Sequence, residues 1–191
     1  MSKGYHYRGY LPHWDLEKAT QAITFRFNDS LPQHVIKEWR QDLAEIEDDD
    51  LREKELHRLI SKFEDTGYGS CVLRDPVCAG IVRDKMQLGD GFAYKLLDWC
   101  VMPNHVHVMI RLLDETPLSK IIQSWKGGSA VEINRYLGES GTLWHREYYD
   151  RLVRDEDHYY SCRKYIRMNP VKAELCEKPE DWEFSSAWME R

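Results

Sequence analysis

The order of secondary-structure signals along the chain predicts an α+β fold. Residues 22–27 (AITFRF) alternate apolar and polar side chains as a strand does. Residues 94–113 (YKLLDWCVMPNHVHVMIRLL) have the form of a β-hairpin, because Pro103-Asn104 suits the centre of a tight turn between two runs of strand formers. Helix-spaced apolar residues fill the interval between these strands and follow the hairpin. Strand, helices, hairpin, helix, short strand and helix, in that order, describe an antiparallel sheet with helices packed on it, close to ferredoxin-like.

The 191 residues are enough for one domain with a substantial core, and residues 1–191 are taken as a single domain. Hydrophobic residues at 42% and charged residues at 31% mark a globular chain rather than a disordered one. There is no apolar run of about 18 residues and no signal-peptide core, so no membrane partner is expected. The cysteines at 71, 78, 100, 162 and 176 form no CxxC pair, which fits free thiols in a reducing cytoplasm.

The net charge of −6 argues against nucleic acid only when its distribution is ignored. Residues 35–65 hold 6 Lys/Arg against 11 Asp/Glu, a balance of −5. Residues 104–172 hold 11 against 9, a balance of +2. Charges further apart than about 8 Å are largely screened in physiological salt, so acidity in one segment does not veto an anion site in another.

Taken in order, residues 4–15 are aromatic and punctuated by Gly and Pro, which predicts irregular structure. Val35, Ile36, Trp39, Leu43 and Ile46 keep helical spacing, as do Leu56, Leu59, Ile60 and Phe63, giving two helices with a break near Asp48–Asp50. The stretch 33–90 is expected to be a helical insertion, and its acidic part, 35–65, a solvated face away from the histidines. Asp75-Pro76 reads as an N-cap with Pro at the first helical position, opening a helix to about Leu88. Thr116-Pro117 repeats that signal before Leu118, Ile121, Ile122, Trp125, Val131 and Ile133. Gly127-Gly128 predicts a weak point in that helix. Residues 144–149 and 151–153 are short strand or irregular. Asp155 caps a helix over 156–168, which Asn169-Pro170 should end. Residues 181–186 are expected to pack back through their aromatics.

Chemistry is concentrated in the second hairpin strand. Side chains alternate along a strand, so Val106, Val108 and Ile110 share one face, while His105 and His107 share the other. The apolar face requires a core. Two residues of strand rise about 6.6 Å, within which two imidazoles can converge on one ion. A single histidine there would be an ordinary half-buried polar residue; the pair makes a metal site a live alternative.

The last helix offers the complement. Tyr165 and Asn169 stand at i and i+4, on one helical face and about 6 Å apart along the axis. The amide oxygen of Asn169 is a candidate third ligand, and Tyr165 would then lie near whatever the metal binds. Simple packing on the sheet, and a helix end before Pro, are the plainer readings of these two residues. Arg163, Lys164, Arg167 and Lys172 make the region basic.

MPNHVHVMI followed by KYIRMNPVKA resembles the HUH single-tyrosine transposases and, more narrowly, the REP-associated tyrosine transposases. The resemblance extends to YRGYLPHWD, AITFRF, WHREYYDRLVRDEDHYY and DWEFSSAW. It implies Tyr165 as nucleophile and His105, His107 and Asn169 as ligands of Mg²⁺ or Mn²⁺. It implies metal-dependent nicking and strand transfer of single-stranded or hairpin DNA through a covalent 5′-phosphotyrosine, in a cytoplasmic, nucleoid-associated protein. Phosphate contacts would come from Lys126, Arg135, Arg146, Arg151 and Arg154, with Arg163, Lys164, Arg167 and Lys172. Trp125, Trp144, Tyr148 and Tyr149 are candidates for base stacking, though core packing is the commoner role of each. The alternative is a protein of the same fold that binds hairpins without cutting. Monomer and homodimer both stay open. The acidic segment 33–90 departs from the compact connection of the family.

Overall fold

The computed structural model describes residues 5–7, 12–14 and 19–190. Strands β1 (Tyr5–Tyr7) and β2 (Pro12–Trp14) form an antiparallel pair where irregular structure was expected.

The main sheet holds β3 (Thr20–Arg26), β4 (Tyr94–Val101), β5 (His105–Leu112) and β6 (Tyr149–Leu152) in the order β4-β5-β3-β6, all antiparallel. The expected α+β architecture is therefore present, with a four-stranded sheet in the ferredoxin-like order. β5 lies inside the sheet, paired on both edges, so its residues are fixed in register from both sides. The register shifts between Leu96 and Asp98, and past this irregularity Asp98 stands opposite Met109.

The helices are α1 (Gln33–Asp42), α2 (Asp49–Glu64), α3 (Pro76–Gln87), α4 (Leu118–Leu137), α5 (Glu156–Lys172) and α6 (Ser186–Met189). Asp48, Asp75 and Asp155 each cap a helix by accepting a backbone N–H at its first turn. One sheet face, with Ile23, Phe25, Val106, Val108 and Ile110, joins Val82 and Met86 of α3 and Ile121, Ile122 and Trp125 of α4 in the main core. The expected apolar face of β5 is thus buried. The opposite face, with Met109 and Cys100, packs on Ile166 of α5.

Three local expectations need correction. The helix α4 runs unbroken through Gly127-Gly128. A Cβ at Gly128 would come within 3.2 Å of the Lys85 side chain, so the glycine serves the close approach of α3. Helix α5 continues through Pro170 to Lys172, because Asn169 and Pro170 are buried and packing outweighs the local bias against helix before proline. Finally, α3 carries Cys78, Ala79, Val82 and Met86 into the core, so the stretch 33–90 is helical but its last third is the crossover helix of the sheet.

The acidic helices divide by burial. No residue of α1 is buried, as a solvated helix requires. Helix α2 instead buries Leu56 and Glu64. Glu64 Oε1 lies 3.4 Å from Arg26 Nε of β3. Burial pushes the Glu64 carboxyl up to about 8, against the opposing pull of Arg26.

Candidate metal and nucleophile site

Strand alternation turns His105 and His107 to the α5 side of the sheet. Both are buried, and their Nε2 atoms lie 3.0 Å apart. Each Nδ1 is held from behind. His105 Nδ1 lies 2.7 Å from Asn104 Oδ1, and His107 Nδ1 lies 2.8 Å from Thr24 Oγ1. Asn104 Nδ2 donates to the Glu64 and Tyr68 carbonyls, which fixes the orientation of its amide. Its Oδ1 is then an acceptor, so His105 carries its proton on Nδ1 and presents a bare Nε2. The Thr24 hydroxyl can donate or accept and so serves either tautomer of His107.

Burial lowers both imidazoles: His105 falls to about 3, and His107 falls well below the usual histidine value, with His105, His57 and Lys172 adding to its shift. The pair is neutral at pH 7, the form in which imidazole ligates metal.

From α5, Tyr165 sets its ring 5.2 Å from that of His107, nearly edge-on. Asn169, one turn later, is fully buried. Its amide bears on His105 and on Tyr165, yet neither its oxygen nor its nitrogen completes a hydrogen bond of ordinary geometry. Lys172 Nζ lies 4.7 Å over the Tyr165 ring. Burial raises the Tyr165 phenol to about 12, against the lowering effect of the Ser61 hydrogen bond.

Helix α2 closes the opposite side, which corrects the expectation that 35–65 stands clear of the histidines. His57, Ser61 and Asp65 recur every four residues and share one helical face. Ser61 Oγ is 2.5 Å from Tyr165 Oη, and Asp65 Oδ1 is 3.8 Å from His105 Nε2. Ligating atoms of Asp65, His105 and His107 all lie within 4.8 Å of one another. His57 stacks on Tyr149 at 3.5 Å between ring centroids. Same-face spacing was the only signal for these residues, and any charged helix offers many such sets.

Two imidazole nitrogens 3.0 Å apart and an orphaned buried amide are what a divalent ion with nitrogen and oxygen ligands would satisfy. The residues present therefore fit such an ion.

A groove of about 1030 Å³ opens beside this cluster, with Thr24 and His57 in its wall and Arg26, Lys126, Arg146 and Tyr148 along it. Lys126 Nζ donates to the carbonyls of His145 and Arg146 at 2.6 and 2.8 Å, so it braces that segment. Arg135, Arg151, Arg154 and Lys164 are exposed but do not line the groove. Arg163 and Arg167 are a correction. Both pair with buried Asp98, at 2.9 and 2.5 Å, and both reach Glu190, so they hold α5 to β4 and the C-terminal segment. Trp125 and Trp144 are buried, with indole N–H groups donating to Tyr94 Oη and Ser129 Oγ, and are core residues.

Comparison with known proteins shows what the chain is similar to. Residues 78–169 are similar to the family described as "Transposase IS200 like". A Haemophilus influenzae protein assigned to the REP-associated tyrosine transposases is 24% identical over 110 residues, covering 52% of this chain. The match spans 62% of that relative's length. A second protein of that organism, of no assigned function, is 22% identical over 138 residues, covering 53% of this chain and 76% of its own. The solved structure of a REP-associated tyrosine transposase bound to a REP hairpin shares the fold, with a TM-score of 0.56 at 17% identity over 99% of this chain and 84% of that one. The resemblance drawn from the two motifs holds: the chain is similar to the REP-associated tyrosine transposases. Among the described residues, no helix is long and apolar enough to cross a membrane.

Proposed function

We propose that this chain nicks and rejoins single-stranded DNA beside hairpin-forming repeats, through a covalent 5′-phosphotyrosine on Tyr165. The observation that carries this reading is the single cluster formed by Tyr165, two neutral imidazoles and the unpartnered amide of Asn169. The hairpin substrate is suggested by the REP hairpin bound in the structure of similar fold.

His105, His107 and Asn169 would hold a divalent ion, Mg²⁺ or Mn²⁺. When bound, it neutralises charge on the scissile phosphate and polarises the phosphorus. Tyr165 Oη attacks in line; the Oη–P bond forms, the P–O3′ bond breaks, and the departing 3′-oxygen takes a proton to become a hydroxyl. The phosphodiester energy is kept in the tyrosyl ester, so a 3′-hydroxyl can reverse the step and join strands. A phenol near 12 must lose its proton as the bond forms rather than beforehand. Ser61 stands in position to donate a hydrogen bond to the developing phenolate, and Lys172 over the ring favours negative charge on it. Lys126 and Arg146, with Lys37 and Arg40 of α1, outnumber Glu53 and Glu147 along the adjoining groove and give it the positive charge that a DNA backbone requires, while Arg26 is paired with Glu64.

Denaturing electrophoresis of a labelled hairpin oligonucleotide tests this directly. The wild type should form a covalent adduct, and Tyr165→Phe should form none while binding the hairpin nearly as well. Binding without adduct in the wild type would favour the non-cleaving alternative. Cleavage without adduct would indicate a water nucleophile.

A further inference from the structure

We propose that Asp65 is a further ligand of the divalent ion, so that helix α2 completes the metal centre; this rests on the reading that His105 and His107 hold such an ion. The sequence motifs contain no such residue, and residue 65 lies outside the matched stretch 78–169.

Distances support the assignment. With bonds of about 2.1 Å, neighbouring ligands around an octahedral ion stand about 3.0 Å apart, and opposite ones about 4.2 Å. The His105 and His107 Nε2 atoms are 3.0 Å apart, and Asp65 Oδ1 is 3.8 Å from His105 Nε2. The His107 and Asp65 ligating atoms lie within 4.8 Å, so a small side-chain adjustment would bring all three onto one ion.

Asp65 Oδ1 is a buried oxygen with no hydrogen-bond partner, an expensive state for a carboxylate unless a cation meets it. Its position is built rather than accidental. Asn104 donates to the carbonyls of Glu64 and Tyr68, which bracket Asp65, while its own oxygen orients His105. One side chain thus ties the turn that carries the histidines to the segment that carries the carboxylate. The Arg26–Glu64 pair fixes the same end of α2 to β3.

The chemistry is apt as well. Two imidazoles and an amide form a neutral set. A carboxylate adds a hard anionic oxygen and shifts preference toward Mg²⁺ and Mn²⁺ over softer ions. An acidic helix against this site is then explained at this one point, where its carboxylate would help to hold the ion.

Mn²⁺ titration of the full-length, DNA-free protein, by calorimetry and by loss of the free-ion paramagnetic resonance signal, tests the proposal. Wild type is compared with His105→Ala, Asp65→Ala and Asp65→Asn, each checked for fold by circular dichroism. His105→Ala should abolish binding. Asp65→Ala should weaken it by about tenfold or more, as loss of a ligand predicts, and Asp65→Asn, which keeps shape and removes charge, by a smaller factor. Wild-type affinity in both Asp65 variants, with binding lost in His105→Ala, would overturn this proposal and leave the histidine site standing. No Mn²⁺ binding by the wild type would overturn both. If Asp65→Ala fails to fold, Asp65→Asn decides alone.

Discussion

The hydroxyls of Ser61 and Tyr165 meet at 2.5 Å, joining a helix that precedes the hairpin to the helix that follows the sheet. Ser61, ahead of Asn169, lowers the phenol against the effect of burial. Ser61→Ala should therefore slow adduct formation by about three- to tenfold, equivalent to roughly 0.7–1.4 kcal/mol in the barrier. Hairpin affinity should not change, since no phosphate contact is lost. Single-turnover rates and a binding titration on the same oligonucleotide check this; an unchanged rate would reduce Ser61 to a packing role.

Arg167 should behave as a structural residue. It shares the buried carboxylate of Asp98 with Arg163 and Ser186, and also reaches Glu190. Removing one partner of a fully buried pair costs about 3–5 kcal/mol. Arg163 and Ser186 remain on Asp98, and Arg167 is partly exposed, so about 2 kcal/mol is expected for Arg167→Ala. Urea denaturation should show that loss, while the salt dependence of hairpin binding stays as in the wild type.

Arg146 should show the opposite pattern. Its side chain is 95% exposed at the groove, so stability should change by less than about 0.5 kcal/mol on Arg146→Ala. The slope of log affinity against log salt should fall by about 1, the signature of one lost phosphate contact. An unchanged slope would mean that the DNA backbone does not follow this groove.

What the sequence disclosed follows from the range of each signal. His105 and His107 on one strand face, and Tyr165 and Asn169 on one helix face, are set by local periodicity, so their pairing within an element was legible. That the two faces meet depends on β5 lying inside the sheet under α5, which the order of elements implies. Ser61 and Asp65 could not be found this way. They matter only because α2 folds back over the sheet, a placement fixed by Arg26–Glu64 and by Asn104 across about 40 residues of chain. Charge misled for the same reason: a count of −5 over 35–65 says nothing of which carboxylate faces inward. Arg163 and Arg167 looked like phosphate contacts until Asp98 was seen turned toward α5.

Asn104 looked like a turn residue, and the structure gives it a larger part. It is fully buried, its Nδ2 donates to two carbonyls at 3.2 and 2.9 Å, and its Oδ1 holds His105 Nδ1 at 2.7 Å. Asn104→Ala should strip all three contacts, leaving the Glu64 carbonyl with the Gly67 N–H alone, the Tyr68 carbonyl without this donor and the His105 ring free to change tautomer. Stability should fall by about 2–4 kcal/mol, at roughly 1 kcal/mol or more for each contact. Mn²⁺ affinity should fall about 10–100-fold, as when a metal-bound histidine loses its orienting partner. Asn104→Asp separates the two effects. It keeps an acceptor for His105 Nδ1, so metal affinity should recover most of the loss. It also sets a carboxylate oxygen against the carbonyls of Glu64 and Tyr68, so stability should stay low. Equal metal affinity in Asn104→Ala and the wild type would show that His105 needs no orienting partner, and that Asn104 is a folding residue alone.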